Sequence, residues 1–131
     1  MRAGVLVLGA LLTKYKIAKV SLPGGCAIGS RPIDLHLEAL KKMGAKIKIK
    51  DGYIHASAKK GLKGSVIKFP KISVGATENI LIAACFAKGE TKLRNCAIEP
   101  EVEDLIFFLK KIGCKINRTG KRSINVLGIK N

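Results

Sequence analysis

No tryptophan occurs in this chain of 131 residues, aromatic side chains make up only 5% of it, and four prolines interrupt it. With so few rings, the core has to be assembled from Ile, Leu, Val and Ala, which favours layered α/β packing, and few platforms remain on which nucleic-acid bases could stack. Acidic residues are scarce as well: nine Asp and Glu stand against 25 Lys and Arg, a formal net charge of +16. Such an excess predicts attraction to anions. The lysines are spread through KIKIK (46–50), AKKGLKG (58–64) and FLKKIG (108–113), with neither a basic tail nor a nucleic-acid motif. That distribution belongs more often to a solvated surface than to a nucleic-acid interface.

The cysteines, Cys26, Cys85, Cys96 and Cys114, form no C-x-x-C pair, and neither His36 nor His55 stands at zinc-ligand spacing from them, so no structural metal site is expected. Cys85, inside ILIAACFA, and Cys114, just after Gly113, read as small core residues, and nothing here requires an oxidising compartment. Long apolar runs are missing too. MRAGVLVLGALL (1–12) has the size of a signal-peptide core but no clear A-x-A cleavage site; it is too short to span a membrane and reads as a buried first helix.

What is present is a hydrophobic content of 47%, enough for one folded unit with a substantial core. IDLHLEALKKM (33–43) places Ile33, Leu37, Leu40 and Met43 on one helical face, with Lys41 and Lys42 near the end and Gly44 as the stop. AKIKIK then alternates at period two, Asp51-Gly52 supplies a hairpin turn and YIHASA returns. PEVEDLIFFLKKI (100–112) repeats the pattern: Val102, Leu105, Ile106, Leu109 and Ile112 form a stripe, Pro100 fits the first turn, and Glu101, Glu103 and Asp104 face the positive helix end. After Gly113, CKINR alternates, Thr119-Gly120-Lys121 is expected to turn, and SINVLG to return.

LKKMGAKI (40–47) aligns with LKKIGCKI (109–116), with Lys110 lying 69 positions after Lys41. Upstream, the helix at 2–14 and strand KVSL (19–22) match the helix at 75–88 and strand TKLRN (91–95). The expected organisation is therefore two units, about 1–58 and 64–128, each running helix, strand, helix, strand, strand. SVIKFP (65–70) gives a leading strand to the second unit only, so the chain is expected to be part of a larger repeat architecture.

Two stretches could carry chemistry. In the first, LPGGCAIGSRPIDLH (22–36), Gly24, Gly25 and Gly29 flank Cys26, and Arg31 and the following helix start favour a nearby anion and a thiolate. It reads either as a mobile lid bearing a thiol or as a plain glycine-rich connector. In the second, KISVGATEN (71–79), Ser73 stands as a helix cap, and Val74, Gly75 and Ala76 are expected to present free N–H groups, with Lys71 ahead of them. It reads either as a phosphate grip or as an ordinary capped helix. Glu99 and Glu101 are explained by the helix dipole, and neither His36 nor His55 receives a catalytic role.

LPGGCAIGSRPIDLH closely resembles the catalytic loop of the UDP-N-acetylglucosamine enolpyruvyl transferases (1-carboxyvinyltransferases), and MRAGVLVLGALL, GYIHAS, LKG, KISVGAT and EPEVEDL follow that family's order over essentially the whole chain. The resemblance implies an incomplete α/β domain of the inside-out barrel type, the partial Cys-loop domain of a cytoplasmic transferase of peptidoglycan synthesis. That enzyme moves the enolpyruvyl group of phosphoenolpyruvate to the 3-hydroxyl of UDP-N-acetylglucosamine. By the same match, Cys26 is the proton donor, able to form an adduct with phosphoenolpyruvate and to be alkylated by fosfomycin. Arg31 and Arg2 handle the anionic substrates; Pro32, Ile33, Asp34 and Leu35 lie against the uridine; Lys71, Ile72, Ser73 and Val74 lie near the diphosphate. No cofactor, metal, nucleic-acid partner or membrane is implied.

The sister enzyme, 5-enolpyruvylshikimate-3-phosphate synthase, shares the fold and lacks the cysteine loop. Family members are longer, and three of their features have no counterpart here: the N-terminal lysine-asparagine pair, the aspartate that deprotonates the sugar, and the arginines of the opposite domain. A companion chain stays open as their source, and alone the chain is expected to lack turnover. The alternative is a non-catalytic remnant that binds anions or nucleic acid.

Overall fold

The computed structural model describes residues 8–21 and 33–129. Helix α1 (Leu8–Tyr15) gives way at Lys16 to strand β1 (Ile17–Ser21), and α2 (Ile33–Lys42) leads into the hairpin of β2 (Lys46–Lys50) and β3 (Tyr53–Ser57). Strand β4 (Val66–Lys68) precedes the long helix α3 (Val74–Phe86), followed by β5 (Glu90–Arg94), α4 (Pro100–Lys111), β6 (Lys115–Gly120) and β7 (Ser123–Leu127).

The strands form two sheets, ordered β1-β3-β2 and β4-β5-β7-β6; β4 runs parallel to β5 and the other pairings are antiparallel. The Asp51-Gly52 turn has both residues at positive φ (54° and 78°), which matches the right-handed twist of a two-residue hairpin. Both amphipathic helices end as their glycines foretell. Gly44 and Gly113 adopt φ of 105° and 108°, and the next residue closes the helix in each case, Ala45 N–H to Leu40 C=O and Cys114 N–H to Leu109 C=O, both at 3.0 Å.

Each sheet turns its apolar positions inward, Ala18, Val20, Ile54 and Ala56 from the first, Ile67, Leu93, Ile116, Ile124 and Val126 from the second. Period-two alternation is the cause: one residue in two faces the helices and the next faces solvent. Between them lies α3, apolar on every side, with Ile80, Leu81, Ala83, Ala84 and Cys85 wholly buried. It packs against α1, α2, α4 and β7. Full burial of one such Ile or Leu is worth about 1.5–3 kcal/mol, so the core rests on aliphatic contact around one helix. The described residues make layered α/β structure and no closed barrel.

Two local expectations need correcting. The second hairpin turns at Lys121-Arg122, because Gly120 pairs with Ser123 across an irregularity between Arg118 and Gly120 that absorbs one extra residue. Ile112 is 44% exposed, since it occupies the C-cap of α4 with φ −87° and ψ 6° and has left the helical stripe; Met43, at the matching place after α2, is fully buried. No helix among the described residues is long and apolar enough to cross a membrane.

Candidate functional site

Of the residues singled out from the sequence, Arg2, Cys26, Arg31 and Pro32 lie outside the described residues, as does the side chain of Ile33. The glycine-rich segment 22–32 is bonded at one end to the last residue of β1 and at the other to the first residue of α2, so the placement of those elements sets its anchors. Asp34 is exposed in the first turn of α2, and Leu35, half-buried, packs against the core.

The second stretch is built as a helix start. Ser73 caps α3 from an extended conformation (φ −143°, ψ 124°), its Oγ accepting from Ala76 N–H at 3.1 Å, while Thr77 Oγ donates to the Ser73 carbonyl at 2.7 Å. Ala76 is therefore not one of the free donors expected there, because the cap has taken its N–H. Val74 and Gly75 remain as first-turn N–H groups without a partner among the described residues. Lys71 and Ile72 are exposed just ahead of them. Positive dipole, unpaired N–H groups and a lysine form a place that favours an anion.

What brings the two stretches together is a buried join. The backbone N–H of Gly9 in α1 donates to Asn79 Oδ1 at 3.0 Å, and Asn79 Nδ2 lies 2.8 Å from His36 Nδ1. With its oxygen committed to Gly9, the Asn79 amide presents its N–H to His36, which must accept through Nδ1 and carry its own proton on Nε2. His36 is 5% exposed, and burial pushes its pKa down to about 4, so the ring is neutral near pH 7. His36 belongs to the second turn of α2 and Asn79 to the second turn of α3. Contact there holds the positive ends of both helices close together, whatever angle they cross at.

Sequence reasoning passed over Asn79 entirely, and its partners at positions 9 and 36 leave no local signal. It also passed over Glu78, whose carboxyl is pushed up by burial and by the nearby Glu101 on α4. The three described thiols, Cys85, Cys96 and Cys114, are buried, and desolvation raises all three; Cys96 is pushed up to about 11 despite three nearby arginines. They are poor nucleophiles for that reason. Among the described residues no group of three or more His, Cys, Asp or Glu is placed to hold a metal ion.

Residues 1–131, the whole chain, match the EPSP synthase (3-phosphoshikimate 1-carboxyvinyltransferase) family. The chain belongs to that family. Within the EPSP synthase family, it is 64% identical over 131 residues to the UDP-N-acetylglucosamine 1-carboxyvinyltransferase of Pelagibacter ubique (strain HTCC1062), all of this chain and 31% of that protein. It is 55% identical over 129 residues to the protein of that name from Endomicrobium trichonymphae, covering 98% of this chain and 31% of the relative. The chain thus spans about a third of the length of these curated relatives. The fold agrees with solved members of the group. The enolpyruvyl transferase NikO of Streptomyces tendae superposes with a TM-score of 0.80 at 20% identity, over 98% of this chain and 30% of that one. EPSP synthase of Acinetobacter baumannii gives 0.72 at 22%, over 98% and 29%.

Proposed function

We propose that this chain is the cysteine-loop part of a UDP-N-acetylglucosamine 1-carboxyvinyltransferase, working in the cytoplasm on phosphoenolpyruvate and UDP-N-acetylglucosamine. The observation that carries the reading is the 64% identity across every residue of the chain to a protein of that name, against 20–22% to the solved structures of NikO and EPSP synthase. In the same reading, 1–58 and 64–128 are two copies of one unit.

The reaction adds the sugar 3-hydroxyl to C2 of phosphoenolpyruvate while a proton goes to C3. Loss of that C3 proton and of inorganic phosphate then restores the double bond. Cys26 is the proposed donor to C3, acting as a general acid through its Sγ–H. Arg31 and Arg2 are proposed to hold phosphate and carboxylate; Pro32, Ile33, Asp34 and Leu35 to receive the uridine; Lys71, Ile72, Ser73 and Val74 to face the diphosphate. Supporting this, the α3 start offers unpaired N–H groups and a lysine, and the His36–Asn79 join keeps the α2 start beside it. Since the chain spans about a third of its relatives, sustained turnover by it alone is not expected.

Fosfomycin, an electrophilic epoxide, provides the test. Mass spectrometry after exposure should find one adduct on Cys26 and none on the buried Cys85, Cys96 or Cys114, and Cys26→Ser should abolish it. Equal labelling of all four thiols, or an adduct that survives Cys26→Ser, overturns the assignment.

A further inference from the structure

The solvent face of the first sheet carries a concentration of positive charge that the proposed reaction does not use. Register places Lys19 and Lys48 on either side of His55, directly opposite it on the neighbouring strands. Lys19 lies with its ammonium 4.6 Å from the centre of the Tyr53 ring, and neither it nor Lys48 is paired with a carboxylate among the described residues. The row at the same place in the second sheet is Lys92-Asn125-Asn117, one cation and two amides. One row along, the first sheet has Ile17-Ser57-Lys46 and the second has Glu90-Leu127-Lys115, with an acid present.

The charge also has a shape. Over this face lies a concavity of about 640 Å³ lined by Lys19, Lys46, Lys48 and Lys59, with His55 between Lys19 and Lys48. A second of about 350 Å³ adjoins it, sharing Lys46, Ser57 and Lys59 and adding Lys60 and Lys63. No acidic residue and no Phe, Tyr or Trp lines either one. The larger volume lies in the range of small-ligand sites, and its walls carry four lysines against one ring, that of His55.

We propose that this face of the first sheet binds a small anion carrying two or three phosphate groups, held by Lys19, Lys46, Lys48 and Lys59. Its phosphates would pair with lysines that have no carboxylate partner among the described residues, and the second sheet, with Asn117 and Asn125 in the matching row, should not bind the same ligand. Lys71–Val74 and the residues of α2 take no part.

Isothermal titration of the 131-residue chain with inorganic triphosphate tests this. Saturable one-to-one binding is expected, weakened about tenfold or more by the double variant Lys46→Gln/Lys48→Gln, as loss of two charge-assisted contacts requires. Lys92→Gln on the second sheet should leave the affinity unchanged, and circular dichroism should show each of these exposed variants folded as the parent is. Absence of saturation up to about 10 mM, where binding would be weaker than any useful site, overturns the proposal. So does an equal loss in Lys92→Gln. Tighter, lysine-dependent binding of a ten-residue single-stranded DNA also overturns it, by assigning the face to nucleic acid.

Discussion

The two sheets have the same strand order through β1-β3-β2 and β5-β7-β6, yet they differ at several places where a side chain leaves the core. Beside β5 runs the parallel strand β4; beside β1 no strand lies among the described residues. The second sheet has Asn117 and Asn125 where the first has Lys48 and His55, and Glu90 where the first has Ile17. Inside, the helix of the first hairpin buries His36 where that of the second, 69 positions on, has the half-buried Leu105. Inward alternation and the glycine stops are common to both. The backbone plan therefore needs little more than an apolar inner face and two helix ends, and residues outside that requirement differ between the two sheets.

The comparison can be strained most severely where the second sheet meets α3. A Cβ on Gly128 would overlap the carbonyl oxygen of Ala87, backbone that cannot step aside. Gly128→Ala should cost more than about 3 kcal/mol in a urea titration, an overpacking loss at the upper end of its usual range. Next in size is a pH effect confined to the first unit. The folded pKa of His36, about 4, lies below its ordinary 6.5, so between those values the unfolded chain binds a proton that the folded chain refuses. Stability is complete above pH 6.5 and falls as pH drops toward 4, by about 2 kcal/mol between pH 7 and pH 5. His36→Leu, which copies Leu105, should remove that slope relative to the parent; an unchanged slope would mean that the ring is not held neutral.

Helix starts give a smaller contrast. Ser73 makes a capping bond and Glu99, at the head of α4, makes none with its side chain. Ser73→Ala should therefore lose about 1 kcal/mol, while Glu99→Ala should change the unfolding midpoint by no more than a few tenths of that. The smallest effect compares the solvent faces: Lys48→Asn should stabilise by about 0.3 kcal/mol, and Asn117→Lys should destabilise by a similar amount, both shrinking in high salt.

Features set by neighbours in sequence were legible from the sequence. The Leu37, Leu40, Met43 stripe, the stops at Gly44 and Gly113, the Asp51-Gly52 turn and the Ser73 cap each depend on a few adjacent positions, and each stands as expected. The second hairpin was misjudged because Gly120 looks like a turn residue until its pairing with Ser123 is known. Ile112 keeps the helical spacing but not the helical backbone. At the candidate site, the cap could be read but not the capture of Ala76 N–H by Ser73, which changes which donors are free. Asn79 was invisible because its partners lie 70 and 43 residues away, and an asparagine in an apolar helix gives no hint of what it will touch.

That asparagine also limits what can stand in its place. Its oxygen serves one helix and its nitrogen another. Aspartate offers no donor toward the imidazole, leucine neither donor nor acceptor, and glutamine a reach one methylene too long for a packed interior. With the His36 tautomer that accepts at Nδ1, asparagine meets both demands at that depth, so drift at this position should be slower than at the exposed lysines.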